Sequence, residues 1–379
     1  MAQDITLIAT AAMGLEAVVG KEVEALGYEP TIENGKVIFQ APALAIPRCN
    51  LWLRTADRVK VLVGEAKVKT FDELFEAVKA LPWEQFISED GRFPVSGKSV
   101  KSTLFSVSDC QAITKKAIAE RLKLKYGLAS NMPEKGALYK VEVALHKDIA
   151  QLTIDTSGSG LHKRGYRIGQ GDAPLKETLA AALVLLTNWT PDYPLLDPFC
   201  GSGTIPIEAA LIGQNIAPGF NREFASEEWE IIKQKDWEMA LEEVEDKANY
   251  DQKIDIRGSD IDHKLIQIAS DNAIEAGLGD LIEWKQMRVQ DLTIKEENGY
   301  IIANPPYGQR LGDKEEIGQI YHDFGNIMKE HPSWSVYILT AFESFESTYG
   351  QKATKKRKLF NGFIRADYYQ YFGQKIKGE

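Results

Sequence analysis

The pattern of hydrophobic and polar positions predicts mixed α and β elements in the first part of the chain. The candidate strands of this part are Ile5–Ala11, Gly35–Gln40, Arg58–Val68, Tyr139–Leu145 and Ile149–Asp155. The candidate helices are Leu15–Leu26, which Gly27 would stop, one that opens at Thr70-x-x-Glu73, and Asp109–Lys125, which Ser108-x-x-Gln111 would cap. These elements indicate an α+β region that ends near residue 156.

From Leu195 onward, strand and helix patterns alternate. The candidate strands are Pro194–Phe199, Lys253–Asp260, Ile282–Met287, Tyr300–Ala303 and Ser335–Thr340, with helices near Thr204–Ile212, His263–Ala276 and Glu315–Lys329. Alternation of this kind predicts a parallel sheet covered on both faces. Asn361-Gly362, between two strand-like runs, predicts an antiparallel hairpin that closes the sheet.

Composition adds the class of protein. The chain has 379 residues, of which 44% are hydrophobic, and a formal net charge of −10, as expected of a soluble globular protein with two or three domains. No apolar run reaches roughly 18 residues, and no basic residue precedes the apolar start Ile5–Val19, so we expect neither a membrane anchor nor a secretory signal. Three scattered cysteines and five histidines without HxH or HxxxH spacing predict a cytoplasmic protein without a metal.

The negative charge is unevenly distributed. Up to Gly160 the chain has 20 basic and 20 acidic residues, so the whole excess lies after it. A basic window, Gly91–Lys125, has eight basic residues against two acidic ones, whereas Glu223–Asp251 has eleven acidic residues against three basic ones. We call Glu223–Asp251 the acidic segment. Its position predicts an insertion in the second part of the chain that faces away from a polyanionic partner.

A glycine-containing loop, Asp197-Pro-Phe-Cys-Gly-Ser-Gly-Thr204, follows the first strand of the alternating part. Glycine lets the backbone approach a ligand, but the spacing is neither that of a dinucleotide-binding loop nor that of a P-loop. Asp260, at the end of the next strand, can accept ribose hydroxyls, and Asp291 can accept from an adenine amine. The loop therefore predicts a site for a nucleoside-bearing cofactor. The alternative is a structural glycine turn with helix-capping aspartates.

A second motif, Asn304-Pro-Pro-Tyr-Gly308, directly follows the apolar strand Tyr300–Ala303. The Asn304 side-chain oxygen and the Pro305 carbonyl can both accept from one NH₂ group, and Pro306 fixes the backbone. Two acceptors stabilise the positive charge that develops when an aromatic amine attacks an electrophile, and Tyr307 would stack on the planar ring. The alternative is a rigid Pro-Pro turn after a strand.

Taken in order, these motifs resemble those of class I S-adenosylmethionine-dependent amino-methyltransferases. Together with Ser108–Lys116 and the run Arg164-Gly-Tyr-Arg167 before Ala173–Thr178, the chain is similar to the THUMP-domain guanine-N(2) RNA methyltransferases over essentially its whole length. The resemblance implies catalytic roles for Asn304, Pro305, Pro306 and Tyr307. It implies cofactor contacts from Asp197, Phe199, Gly201, Gly203, Thr204, Asp260, Ile261, Asp291 and Asn304.

The resemblance also implies the architecture: a ferredoxin-like segment (1–57), a THUMP RNA-binding domain (58–156) and a Rossmann-like class I methyltransferase domain (164–379). The expected activity is methyl transfer from S-adenosylmethionine, with S-adenosylhomocysteine as product, to the 2-amino group of guanine in large-subunit ribosomal RNA. The alternatives are a transfer RNA guanine or DNA adenine amino-methyltransferase, and an RNA-binding assembly factor with an inactive catalytic domain. The expected partner is structured RNA, and a monomer is favoured.

Candidate RNA contacts come from the basic residues. They are Lys98, Lys101, Lys115, Lys116, Arg121, Arg164 and Arg167. Their cationic groups can neutralise phosphates, although charge runs are often solvated faces, and the two arginines at 164 and 167 can equally pair with acidic groups. Residues 176–178 (Lys176, Glu177, Thr178) are candidate secondary cofactor contacts or an ordinary capped helix. The basic run Lys352–Lys358 either flanks the active-site mouth or is a surface loop.

Overall fold

The computed structural model describes residues 4–129, 132–171, 174–308 and 313–374. Its strands are β1 (Ile5–Ala11), β2 (Thr31–Glu33), β3 (Lys36–Ala41), β4 (Ala56–Lys67), β5 (Val95–Val100), β6 (Lys140–His146), β7 (Ile149–Asp155), β8 (Leu195–Asp197), β9 (Ile256–Asp260), β10 (Ile282–Gln286), β11 (Tyr300–Ala303), β12 (Ser335–Thr340), β13 (Lys355–Asn361) and β14 (Ile364–Tyr371). Its helices are α1 (Glu16–Ala25), α2 (Ala45–Trp52), α3 (Phe71–Ala80), α4 (Val107–Tyr126), α5 (Glu177–Leu185), α6 (Thr204–Gly213), α7 (Gln234–Lys247), α8 (His263–Glu275), α9 (Asp313–Lys329) and α10 (Phe345–Tyr349).

These elements form two compact units. The first unit consists of Met1–Ala11, Val19–Leu161 and Arg222–Asp246, and the second of Ala12–Val18, His162–Asn221 and Lys247–Glu379. One boundary between the units, Leu161 to His162, lies next to Gly160, the position that divides the neutral part of the sequence from the acidic part. The acidic segment, however, does not follow this division of the sequence.

The first unit is built on one seven-stranded sheet in the order β2-β3-β1-β4-β7-β6-β5. Only β5 and β6 run parallel, and all other neighbouring strands are antiparallel. This mainly antiparallel sheet with its helices confirms the α+β prediction, and Leu7, Val61 and Ile154, which lie opposite one another on β1, β4 and β7, are all buried. The sheet runs without interruption from β1–β3 to β5–β7 through β4, which pairs with β1 on one side and β7 on the other.

The N-termini of α3 and α4 show the outcome of the capping predictions. The Thr70 side chain accepts from the Glu73 amide, and Glu73 bonds back to the Thr70 amide, so the predicted capping box is confirmed. The prediction for Ser108 was wrong, because α4 already begins at Val107 and Ser106 occupies the N-cap position. Ser106 donates to Asp109 over 2.6 Å, so its hydroxyl is bonded to a side chain of the first turn.

The second unit contains a seven-stranded sheet in the order β10-β9-β8-β11-β12-β14-β13. The first five of these strands are parallel, and β14 is antiparallel to both of its neighbours. Ile302 joins the apolar cluster of α5 and α6, whereas Ile301 joins the cluster of α9. Adjacent residues of one strand thus enter cores on opposite faces, which confirms the predicted parallel sheet covered on both sides.

The predicted closing hairpin is present, but its turn is shifted by one residue. Asn361 is the last residue of β13 and pairs with Ile364, so the two turn residues are Gly362 and Phe363. Gly362 has φ +63°, a conformation that glycine adopts without a steric penalty. As a result, Phe363 lies at the tip of the hairpin.

Most of the acidic segment packs within the first unit, which corrects its assignment to the second part of the chain. Two parallel bonds of 2.6 and 2.8 Å join the Arg48 guanidinium to the Glu243 carboxylate. Trp229 stacks on Tyr139 with ring centroids 4.9 Å apart, and its indole N–H donates to the Leu138 carbonyl. These contacts hold residues 222–246 against α2 and the strand region near residue 139.

Candidate active site

The glycine loop joins β8 to α6 in the second unit, and its two glycines have different roles. Gly201 has φ +52°, and a Cβ at this position would meet no atom within 4 Å, so its backbone borders open space. Gly203 has φ +83°, but a Cβ there would lie 2.6 Å from Trp284 and 2.9 Å from Ala269. Gly201 is therefore suited to ligand approach, whereas Gly203 allows the loop to pack on α8 and β10.

Two aspartates hold this loop. Asp197 is buried and accepts from the Phe199 amide over 3.1 Å. Burial raises the pKa of the Asp197 carboxyl well above its usual range, and the nearby Asp260 carboxylate adds to this effect. Asp260 accepts from the Gly201 amide and the Asp262 amide, each over 3.0 Å. A carboxylate has about four acceptor positions, so Asp260 can also accept from ribose hydroxyls.

A cavity of about 190 Å³ lies against the loop and brings the two predicted motifs together. Its walls include Asp197, Phe199, Gly201, Thr204 and Asn304. Gly171, Pro174 and Leu175 also line it, so the segment before α5 contributes to the same cavity. The loop geometry and this cavity fit the methionine part of S-adenosylmethionine.

The other predicted cofactor residues lie at neighbouring strand ends. Ile261 directly follows β9 and is 61% exposed, which leaves an apolar side chain available to a flat ring. Asp291 ends a short 3-10 helix after β10 and is exposed. A larger cavity of about 510 Å³ is lined by Asp197, Arg257 and Lys285 among others, but not by Asn304. Of these two cavities, the smaller one contains Asn304, which the sequence predicts to bind an amine, so we take it as the candidate site.

The Asn-Pro-Pro-Tyr motif has a hydrogen-bond arrangement that the sequence did not predict. The Tyr307 hydroxyl donates to Asn304 Oδ1 over 2.5 Å, so the tyrosine occupies the predicted amine acceptor. Tyr321 donates to the Pro306 carbonyl over 2.7 Å and also bonds Thr340. No donor in the described ranges bonds to the Pro305 carbonyl, which leaves it available as an acceptor. Burial raises the pKa of Tyr307 to about 12, so its hydroxyl is a donor at neutral pH.

Arg167 is a positioning residue of the cofactor loop, which corrects its prediction as a phosphate contact. Its guanidinium donates to Glu177 over 2.6 Å, to the Leu175 carbonyl over 2.9 Å, to Thr204 over 3.0 Å and to Ser202 over 3.2 Å. These bonds tie the start of α5 to the start of α6. They also explain why Glu177 is buried, since it pairs with Arg167. Lys176 is exposed, and Ala173 lies outside the described residues.

Arg164 is also unsuited to bind phosphate in this structure, and its prediction is corrected for the same reason. Its residue is 3% exposed, and its guanidinium lies 3.3 Å from both carboxylate oxygens of the fully buried Glu208. The Tyr166 hydroxyl donates to the same carboxylate over 3.0 Å. The predicted alternative, pairing with an acidic group, is what the structure contains, although the partner is buried and not on the surface.

Asn272 is a further contributor that the sequence pattern did not single out. This fully buried side chain of α8 donates to the carbonyls of Gly169 and Ser202 and accepts from the amides of Ile168 and Gly169. It therefore connects α8, the 168–169 segment and the cofactor loop. An asparagine inside an amphipathic helix has no sequence signal for such a role, because its partners are distant in the chain.

Three family models match this chain in order: an RlmL ferredoxin-like domain at 6–60, a THUMP domain at 68–155 and an RMKL-like methyltransferase domain at 164–370. The chain belongs to the RMKL-like methyltransferase family. This methyltransferase is 65% identical to "Putative RNA methyltransferase YpsC" of Bacillus subtilis (strain 168), with 97% of this chain and 96% of that protein covered. The expected fold class, with its ferredoxin-like, THUMP and class I methyltransferase parts, is confirmed.

Two further similarities bear on the site. The chain is 33% identical to the ribosomal RNA large subunit methyltransferase K/L of Shewanella baltica (strain OS185), with 97% of this chain covered but only 53% of that longer protein. This methyltransferase therefore spans about half the length of that relative. The crystal structure of SMU.472 complexed with SAH is 47% identical, with a TM-score of 0.96 and full coverage of both chains.

The basic window of this RMKL-like methyltransferase does not form one cationic surface. Gly97 of β5 faces α4, since a Cβ there would contact Gln111 and Val107. Lys98 therefore points to the other face of the sheet, where it pairs with Glu142 of β6 over 3.1 Å. The sheet thus separates Lys98 from the lysines of α4, so the basic window presents its charges on two faces.

The remaining candidate RNA contacts differ in their partners. Arg121 forms a two-bond pair with Glu84, which lowers the pKa of that carboxyl, and Lys115 bonds Glu134 over 2.8 Å. Lys116 is exposed and lies over the Phe75 ring at 5.7 Å, and Lys101 is exposed in the turn after β5. Lys116 and Lys101 are therefore better candidates for phosphate contact than Arg121.

The described residues contain neither a candidate metal cluster nor a helix that could span a membrane. Within the ranges that the structure describes, no three or more His, Cys, Asp or Glu side chains come together as a metal site would require. Over the same residues, no helix is both long and apolar enough to cross a bilayer.

Cys49, Cys110 and Cys200 are buried free thiols, and burial raises the pKa of each.

Proposed function

We propose that this protein is an S-adenosylmethionine-dependent RNA methyltransferase that modifies the 2-amino group of guanine in large-subunit ribosomal RNA. The observation that carries the proposal is the placement of Asn304 in the wall of the cavity that lies against the cofactor loop. S-adenosylmethionine would supply an electrophilic methyl group at this cavity. Gly201, Asp260 and Ile261 would hold its methionine, ribose and adenine parts.

The residues of the chain itself would activate the amine of the substrate base. Asn304 Oδ1 and the Pro305 carbonyl would accept the two hydrogens of the guanine amine, which favours a pyramidal nitrogen and stabilises the positive charge formed during attack. To reach Asn304 Oδ1, the amine must displace the Tyr307 hydroxyl, which now bonds that atom. The displaced Tyr307 ring would stack on the base. Tyr307 would thus bond Asn304 Oδ1 before substrate binds and align the substrate afterwards.

Support for RNA as the substrate class comes from two sources. The chain contains a THUMP domain match at 68–155, and its relatives include proteins named as RNA and large-subunit ribosomal RNA methyltransferases. The two acceptors would serve an adenine amine equally well, so guanine is the narrower part of the proposal. The target base would be taken out of its stack before it enters the site, where the protein would recognise it.

The deciding experiment is mass spectrometry of nucleosides from ribosomal RNA, transfer RNA and DNA of a strain that lacks this gene. We expect loss of N(2)-methylguanosine in the large-subunit RNA alone, and its return with the wild-type gene but not with Asn304→Ala. The purified Asn304→Ala protein should still bind S-adenosylhomocysteine in a titration. Loss of a methylated adenine in DNA, or of methylguanosine only in transfer RNA, would overturn the proposal.

A further inference from the structure

The tip of the β13–β14 hairpin contains an aromatic side chain that the fold does not use. Phe363 is 106% exposed, and its neighbour Ile364 is 38% exposed. Apolar side chains are usually placed where they bury area, so a fully exposed phenylalanine in a two-residue turn contributes nothing to the core. Four residues before Phe363, Leu359 is fully buried in the core and fixes the strand that leads to the turn.

This tip is directly connected to the proposed amine site. Asn361, the last residue of β13, donates through Nδ2 to the Tyr307 hydroxyl over 3.3 Å. Tyr307 in turn donates to Asn304 Oδ1 over 2.5 Å. The exposed aromatic ring therefore belongs to an element that is one hydrogen bond away from the tyrosine of the active site.

The hairpin is also cationic. β13 and β14 together contain five basic residues and one acidic residue, Asp367. Arg365 lies 3.8 Å from Asp367, and Lys356 pairs with Glu346. Within the described part of the chain, the other three basic side chains, Lys355, Arg357 and Lys358, have no carboxylate partner. An exposed aromatic ring at the tip of a cationic hairpin can bind single-stranded nucleic acid through base stacking at the tip and phosphate contacts along the strands.

We propose that the hairpin tip binds the RNA strand that carries the target base, with Phe363 stacked on an unpaired nucleobase beside it. The proposal rests on the proposed RNA methyltransferase function and deepens it by naming a substrate-positioning residue. Removing a base from its stack exposes the faces of its neighbours, and Phe363 would cover one of them. In this structure, Asn361 bonds Tyr307, so the base of the hairpin tip lies beside the proposed amine site. A strand stacked on Phe363 would therefore have its target base next to Asn304.

The test compares Phe363→Ala with a matched control, Phe372→Ala. Phe372 is 49% exposed and follows β14 at the opposite end of the same hairpin. The RNA probe is large-subunit ribosomal RNA from the deletion strain, and the readouts are RNA affinity, initial methylation rate and S-adenosylhomocysteine affinity. Stacking on one base changes affinity by about 5-fold to 100-fold. We expect that loss for Phe363→Ala, no comparable loss for Phe372→Ala and unchanged S-adenosylhomocysteine affinity for both.

A third variant, Phe363→Trp, keeps an aromatic face and adds a fluorescent reporter. We expect it to retain wild-type RNA affinity and to show quenching on RNA addition beyond that of the wild-type protein. If Phe363→Ala binds and methylates this RNA as well as Phe372→Ala does, the hairpin proposal is overturned while the methyltransferase function stands. If the wild-type protein neither binds nor methylates the RNA, the proposed function itself is wrong, and the hairpin proposal falls with it.

Discussion

The replacement Arg167→Lys tests whether the arginine orders the cofactor loop. The guanidinium donates to four groups on two segments, Glu177 and Leu175 at the start of α5 and Ser202 and Thr204 at the start of α6. A lysine ammonium keeps the positive charge and can retain the bond to Glu177. It cannot reproduce a planar fork that reaches both segments, so the substitution removes the connection while it preserves the charge.

The expected magnitude follows from burial. The Arg167 and Glu177 side chains are 16% and 5% exposed, so the pair is close to the buried limit. Removing a partner from a buried pair costs about 3–5 kcal/mol, and because lysine keeps part of the interaction we expect about 2–3 kcal/mol. For a unit of this size that cost corresponds to a decrease in melting temperature of roughly 4–12 °C. A loop that must be ordered on binding should lose roughly tenfold in cofactor affinity, about 1.4 kcal/mol.

The assay is titration of S-adenosylhomocysteine together with thermal unfolding, and the control is Arg257→Lys. Arg257 also bonds two carboxylates, Asp255 and Glu296, but its side chain is 31% exposed and these hydrogen bonds do not go to the loop. A pair at that exposure is worth about 1 kcal/mol or less. Equal losses of S-adenosylhomocysteine affinity in the two variants would refute the reasoning, because a general weakening of ion pairs would then explain both.

Three further predictions concern pH and charge. Because burial raises the pKa of Asp197, the stability that its protonated form provides is lost as pH rises through that raised value. Asp197→Asn should therefore gain melting temperature relative to wild type as pH rises above about 4, the ordinary carboxyl pKa, and a constant difference would contradict this. Tyr307, with a pKa of about 12, should produce no rise in methylation rate between pH 8 and 10, and a rise that Tyr307→Phe abolishes would show that it ionises. Lys116→Gln should reduce the salt dependence of RNA binding by roughly one contact, whereas Arg121→Gln should leave the slope unchanged, and the reverse order would contradict the assignment.

The sequence predicted the chemistry of the second unit better than its internal contacts. The glycine loop and the Asn-Pro-Pro-Tyr motif could be placed because each directly follows an apolar strand, and parallel strands end at the same edge of the sheet. The structure accordingly brings Gly201 and Asn304 into one cavity. The bond from Tyr307 to Asn304 could not be predicted, because it depends on a side-chain rotamer and on Asn361, which is 54 residues away.

Charged residues were the least predictable part of the site. Arg164 and Arg167 have a spacing that suits phosphate binding, but their partners, Glu208 and Glu177, lie on helices elsewhere in the chain. The local sequence does not tell whether an arginine is solvated or paired with a buried carboxylate, because the same helix or loop can contain an arginine in either state. In the basic window, the alternation of β5 moves Lys98 to the face opposite α4, a consequence of strand geometry that a count of charges does not contain.

The acidic segment shows how the net charge of −10 bears on RNA binding. Sequence position assigned its charge to the catalytic half, which left the amino-terminal half neutral. In the structure, residues 222–246, with ten acidic and three basic residues, pack within the first unit, so that unit is itself acidic overall. The bond between Glu243 and Arg48 fixes the segment against α2, and α2 packs on β4. An RNA partner would therefore be repelled near α2 and attracted to the exposed cations Lys101 and Lys116.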